Sequence, residues 1–331
     1  MNAPKCNEYD YINFLVAAQK VFSASEAARV HPEGESGAAH DAYTRLLQRI
    51  PPDSEVLWAE VEPYIDKSMS MLVIDDTTLD KPYASKMALV SRHWSGKHHA
   101  VVQGINLISL VWTSGNRCLP CDFRLYNKVD DGQDKNDHFQ TMLRQAKARG
   151  FAPSMVAFDS WYSSLPNLKL IRDAGWDWLT RLKSNRQVSL QAGLNQAIAD
   201  IDIPTIGQVV HLRGYGFIKV FRTVDPHGNA DYWATNRLEM TSVDRKVYAD
   251  RAWLIEDYHR AIKQFTGIQA GQFRLEVSQR NHIGLAIRAF VRLEFYRWKN
   301  RLPIFDAKLN IIRQVLRLYL AHPTLVLPST A

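Results

Sequence analysis

MLVIDDTTLDK, residues 71–81, is the stretch on which the reading of this chain turns. Met71 to Ile74 are apolar without a helical period, which reads as a buried strand. The run ends on two acids, Asp75 and Asp76, followed by Thr77 and Thr78, whose hydroxyls are placed to orient a carboxylate. Side chains alternate along a strand, so only one of the two acids faces a given side. MVAFDSWYSS, residues 155–164, repeats the pattern, with Asp159 closing an apolar run. In a parallel sheet the strand ends gather on one edge, and there Asp76 and Asp159 are expected to meet.

AWLIEDYHRAIKQ, residues 252–264, has a helical period and carries Glu256. Lys263 lies two helical turns on and Arg260 one turn on, so the three share a face. Taken alone, Glu256 with Arg260 also fits an ordinary helix pair. Two strand-end aspartates and a helical glutamate make an oxygen-rich donor set suited to hard cations such as Mg²⁺. A pair of such ions is common machinery for phosphodiester chemistry. The expectation from residues alone is a nuclease or strand-transferase.

Strand-like and helical segments alternate around these motifs. Strands are expected at MLVID, ALVSRHW, AVVQGINLISLVW, CLPCDFRLY, MVAFD and WDWLTRLK, and helices at DHFQTMLRQAKARG and PNLKLIRDAG. That alternation predicts an α/β fold. Residues 186–245 read instead as an antiparallel β meander, with helix resuming from about Asp250. Residues 9–50 read as three short helices, the last being AAHDAYTRLLQRI. They suit a helix-turn-helix, in which Thr44 and Arg45 would meet DNA, and equally a helical cap over the core.

The bulk properties agree with a nucleic-acid partner. The 331 residues carry a formal charge of +7 and include nine Trp. A basic balance favours a polyanion. Three cysteines without a signal peptide point to a reducing cytosol, and no run is long enough to span a membrane. Cys118 and Cys121 have the spacing of a zinc half-site, but no second pair completes it. His93, His98 and His99 sit in a basic stretch and read as a solvated or DNA-facing loop.

The succession VIDDTT, VAFDSWYS, LTRLKSNR and a helix with Glu256 and Lys263 resembles bacterial insertion-sequence DDE transposases. The subgroup is the one with a Tyr-Arg-Glu-Lys signature. The resemblance runs from about residue 70 to 300. It implies a ribonuclease-H-like mixed sheet flanked by helices, with an antiparallel β insertion at about 186–245 in a catalytic domain of residues 67–331. An N-terminal helical, DNA-binding region would occupy residues 1–66. It implies that Asp76, the acid directly before the threonines, ligates the metal with Asp159 and Glu256. Two Mg²⁺ ions are implied, Mn²⁺ substituting. Tyr248 and Arg251 have the signature's mutual spacing but sit one residue too far from Glu256; they are expected, with Arg181, Lys183, Arg260 and Lys263, to contact DNA. Trp161 and Trp233 are both candidates for stacking on a base, with packing against the next helix the alternative for Trp161 and the core the favoured place for Trp233. The implied activity is cut-and-paste transposition on double-stranded DNA, at terminal inverted repeats and a target, by a dimer formed on DNA. A transposase-derived DNA-binding protein without catalysis is one alternative. A haloacid-dehalogenase-type phosphatase is the other, although that family needs one residue between its two aspartates.

Overall fold

The computed structural model describes residues 3–95, 99–127, 132–191 and 193–324. His98 of the basic stretch lies outside the described residues. In chain order the helices are α1 (Glu8–Ala17), α2 (Ala24–Arg29), α3 (His40–Arg49), α4 (Glu55–Val61), α5 (Lys135–Ala148), α6 (Leu165–Asp173), α7 (Ser242–Ala252), α8 (Leu254–Phe265), α9 (Glu276–Asn300) and α10 (Ile304–Ala321). The strands are β1 (Met71–Asp80), β2 (Ser91–Ser95), β3 (Ala100–Ser114), β4 (Arg117–Tyr126), β5 (Met155–Phe158), β6 (Trp178–Leu182), β7 (Gln187–Ser189), β8 (Gln196–Ala197), β9 (Gln208–Leu212), β10 (Gly216–Val224) and β11 (Ala230–Thr235). No helix among the described residues is long and apolar enough to cross a membrane.

The chain divides into two compact units, one of residues 54–83 and 89–259, the other of 1–53, 84–88 and 260–331. The division falls within α8, between His259 and Arg260.

In the first unit the described strands form one sheet of eleven, ordered β2-β3-β1-β5-β6-β11-β10-β9-β7-β8, with β4 also paired to β3. β3 is long enough to hold two partners along one edge, β2 against Ala100–Gly104 and β4 against Asn106–Ser114. β1 lies antiparallel to β3 and parallel to β5, and β5 parallel to β6. The strands from residue 187 to 235 extend this same sheet, since β11 pairs antiparallel with β6. β1, β5 and β6 have buried apolar runs, as expected of strands covered on both faces. α5 begins with a capping box between Asp134 and Asp137 and buries Phe139, Met142, Leu143 and Ala146. Helix resumes at Ser242 rather than near Asp250. A capping box between Thr241 and Asp244 starts α7, which buries no residue fully and so shows no apolar stripe.

The second unit is helical and joins both ends of the chain. The Asn281 amide donates to the carbonyls of Leu47 and Ile50, 2.8 Å each, at the end of α3. Lys308 donates to the carbonyls of Val16 and Ala18, 2.6 Å each, and so closes the end of α1. Arg288 is buried and pairs with Glu8. The sequence reading placed a boundary at 66/67 and kept α9 and α10 with the sheet. These long-range polar contacts instead group them with α1 and α3.

Candidate active site

The site is built on the two faces of β1. Asp75 pairs in the ladder with Ser109 and Asp76 with Ile108, so they project to opposite faces. The face of Asp76 is that of α5. Its Oδ2 accepts from Asn106 Nδ2 at 2.6 Å and Lys135 Nζ at 2.7 Å, and its Oδ1 from the Tyr162 hydroxyl at 2.8 Å. Burial alone pushes this carboxyl up. The Lys135 ammonium and the bonds from Lys135, Asn106 and Tyr162 outweigh it and hold the group below the ordinary carboxylate value.

The face of Asp75 is that of α8. The carboxylate oxygens of Asp75 and Glu256 and a ring nitrogen of His259 lie within 4.8 Å of one another. Glu256 and His259 share one face of α8, and that face meets Asp75. Burial pushes the Asp75 carboxyl well above its ordinary value, and the charges of Asp76, Glu256 and Asp159 push it further; a bond from the Asp76 N–H opposes them.

The strand register brings Asp159 to the same face. Ile74 pairs with Phe158 across the parallel strands, so Asp75 and Asp159 are the next residues in step. Phe158 packs edge-on against Phe139 of α5, ring centroids 5.2 Å apart. Asp159 keeps an extended backbone (φ −72°, ψ 162°) and therefore turns the other way. Its side chain makes no capping bond to the following turn, Ser160–Tyr162. Arg181 continues the register on β6, where Phe158 pairs with Thr180, and its guanidinium lies 3.5 Å from Asp159.

The remaining expected residues fall in several places. Trp161 is exposed, with Lys135 and Lys183 each over its ring, 5.8 and 5.7 Å from the centroid. Trp233 is half-buried, not in the core; the guanidinium groups of Arg181 and Arg245 each lie over its ring, at 5.6 and 5.8 Å. The Tyr248 hydroxyl accepts from Arg237, which also binds Asp177 and the Ser154 carbonyl, so Tyr248 tethers α7. Arg251 is half-buried on α7. Arg260 and Lys263 continue α8 in the helical unit. There, exposed Arg45 pairs with Asp41 at 2.7 Å, and Thr44 bonds back to the His40 carbonyl. Cys118 and Cys121 are buried on β4 and unbonded to each other. Among the described residues the one cluster with metal-ligand spacing is Asp75, Glu256 and His259. The sequence reading passed over Lys135, which charges the Asp76 face, and His259, whose i,i+3 spacing from Glu256 was visible.

The donor set fits a divalent cation. Oxygen donors from two strand ends and a helix suit hard ions. Oxygens of Asp75 and Glu256 lie within 4.8 Å of each other and of a His259 ring nitrogen, a spacing that one cation can bridge.

No curated protein matches the chain. A cryo-EM structure of the piggyBac transposase synaptic complex with hairpin DNA aligns with a TM-score of 0.55 at 10% identity. It covers 98% of this chain and 74% of the other and shows a shared fold, the ribonuclease-H-like transposase fold. The Drosophila P element transposase strand transfer complex aligns over 98% of this chain and 88% of the other, at 9% identity and a TM-score of 0.32. The family model for the DDE superfamily endonuclease matches residues 15–197, more than half of the sequence. The chain belongs to the DDE superfamily endonucleases.

Proposed function

We propose that this chain is a DNA transposase of the insertion-sequence type. It would cut at the terminal repeats of a mobile segment and join the freed 3′ end to target DNA. The observation that carries the reading is the gathering of three carboxylates on the α8 face: Asp75 and Asp159 in step on parallel strands, and Glu256 against Asp75. On this reading Asp75 takes the role that the resemblance gave to Asp76, because Asp76 faces the other way and is held by Lys135, Asn106 and Tyr162.

Asp75, Asp159 and Glu256 would hold two Mg²⁺ ions, with Mn²⁺ substituting. Such ions, when bound, activate a water or hydroxyl for in-line attack and offset charge on phosphate oxygens. The protein's own groups position the DNA. Arg181, beside Asp159, draws a phosphate to the carboxylates. Lys183 adds charge along the same approach, and Trp161 offers an exposed ring to an unpaired base. The DNA in the piggyBac complex supports DNA as the partner here, and the chemistry of paired ends suggests two copies acting together. Grouping of the carboxylates argues against a chain that binds DNA without cutting it. Family membership leaves the phosphatase reading without support.

The test is Mg²⁺-dependent cleavage of DNA carrying the repeats that flank the gene, with Glu256→Ala beside the wild type. Cutting at the repeat boundary by wild type alone supports the reading. Specific binding without cutting assigns the chain to DNA binding, and the absence of both binding and cutting refutes both readings.

A further inference from the structure

Three carboxylates do not account for every donor on the α8 face. His259 follows Glu256 by one helical turn, is 4% exposed, and presents a ring nitrogen within 4.8 Å of the oxygens of both Asp75 and Glu256. An ion bound at about 2.0–2.2 Å holds opposed ligands about 4.3 Å apart. The three atoms therefore need only small side-chain shifts to share one ion. The Glu-x-x-His spacing places both ligands on one helix face, as in helical carboxylate sites for iron and manganese.

We propose that His259 ligates the cation held by Asp75 and Glu256, so that the site is a mixed carboxylate–imidazole site that binds Mn²⁺ in preference to Mg²⁺. This rests on the reading of the α8 face as a cation site. A nitrogen donor favours transition ions over the hard alkaline-earth ions, and affinity along the divalent series rises from Mn²⁺ onward for such ligands. An all-carboxylate site would lack this bias. His259 therefore sets which ion loads, while Asp159 offers a second ion oxygen alone.

The test is binding of MnCl₂ and MgCl₂ to the full chain without DNA. Free Mn²⁺ is followed by its electron paramagnetic resonance signal, Mg²⁺ by competition. His259→Ala is expected to weaken Mn²⁺ by about 10- to 100-fold, a loss typical of groups that support a metal site, and to leave Mg²⁺ nearly unchanged. Glu256→Ala is expected to weaken both. Electron spin echo modulation on the wild type with Mn²⁺ reads the nitrogen directly and needs no variant to fold. A ¹⁴N coupling that Glu256→Ala removes supports the proposal. Absence of that coupling, or equal losses of both ions in His259→Ala, overturns it while Glu256-dependent binding keeps the carboxylate site. If wild type binds neither ion, the cation site itself is refuted, and this proposal with it.

Discussion

On the α5 face of the sheet, Asp76 is surrounded by donors: an ammonium, an amide and a phenol reach its two oxygens. On the α8 face, one residue earlier, Asp75 is surrounded by other acids and an imidazole. The two side chains have the same chemistry and nearly the same depth. On the proposed reading their neighbours give them opposite roles. Donors that fully engage a carboxylate make it a structural anchor, because any ligand must first displace them. Carboxylates crowded together leave charge for a ligand to neutralise. A functional acid is thus recognised by what its surroundings leave unbalanced, not by its place in a motif.

The largest expected effect comes from the α8 face. Asp75→Ala and Glu256→Ala should each lower cleavage at least about a thousandfold, the equivalent of about 4 kcal/mol in the barrier. Neither should cost thermal stability in the cation-free protein, since each relieves like-charge crowding. Cleavage by Asp75→Ala at the wild-type rate, with the same metal dependence, would break the comparison at its root.

Asp76→Ala should show the reverse pattern. It leaves Lys135 without its carboxylate and Tyr162 without its acceptor. The expected loss of unfolding free energy is about 2–3 kcal/mol, below the range for a fully buried pair, because both side chains of the pair keep 19% of their surface exposed. Denaturant unfolding measures it. Mn²⁺ binding by the variant should persist. If instead Asp76→Ala loses the ion and keeps its stability, the acid next to the threonines is the ligand after all. Tyr162→Phe removes one of the three donors without stranding a charge, so its cost should be about 1 kcal/mol.

The contrast between the faces was only half legible in the sequence. The apolar runs before Asp75 and Asp159 announced strands, and the period of two showed that Asp75 and Asp76 must part. Which of them joins Asp159 depends on the step between β1 and β5, Ile74 against Phe158, and that pairing is tertiary. The meander was legible from its alternation, although nothing local showed that it would extend the main sheet through β11 and β6. α7 was missed because Ser242–Ala252 buries no side chain fully and so has no stripe; the Thr241–Asp244 box was the available sign. On α9, Arg297 pairs with Glu294 at the local i,i+3 spacing, whereas the partner of buried Arg288 is Glu8, which no local pattern reveals.

Trp161 tests whether the anchor on the α5 face also serves DNA. Its ring lies under Lys135, which is already committed to Asp76, and under Lys183. Stacking of an unpaired base should contribute about 1–3 kcal/mol. Trp161→Ala should therefore weaken single-stranded or hairpin-tip DNA more than intact duplex, with no change in Mn²⁺ binding. An equal loss on both DNAs would reduce Trp161 to a support for the two lysines.

The smallest effect separates Lys183 from Lys135, two ammonium groups on one ring. Lys135 has a carboxylate partner at 2.7 Å and contributes little net charge to the surface. Lys183 is exposed on the chain just past β6. A phosphate contact by Lys183 releases about one counterion, so Lys183→Ala should lower the slope of log affinity against log salt by about 1. Stability should not change, since an exposed lysine of this kind contributes within about 0.5 kcal/mol. Lys135→Met should do the opposite, destabilising the fold while leaving the salt slope nearly intact. If the two substitutions instead shift the slope equally, Lys135 reaches DNA past Asp76. The α5 face would then be part of the binding surface rather than the anchor beneath it.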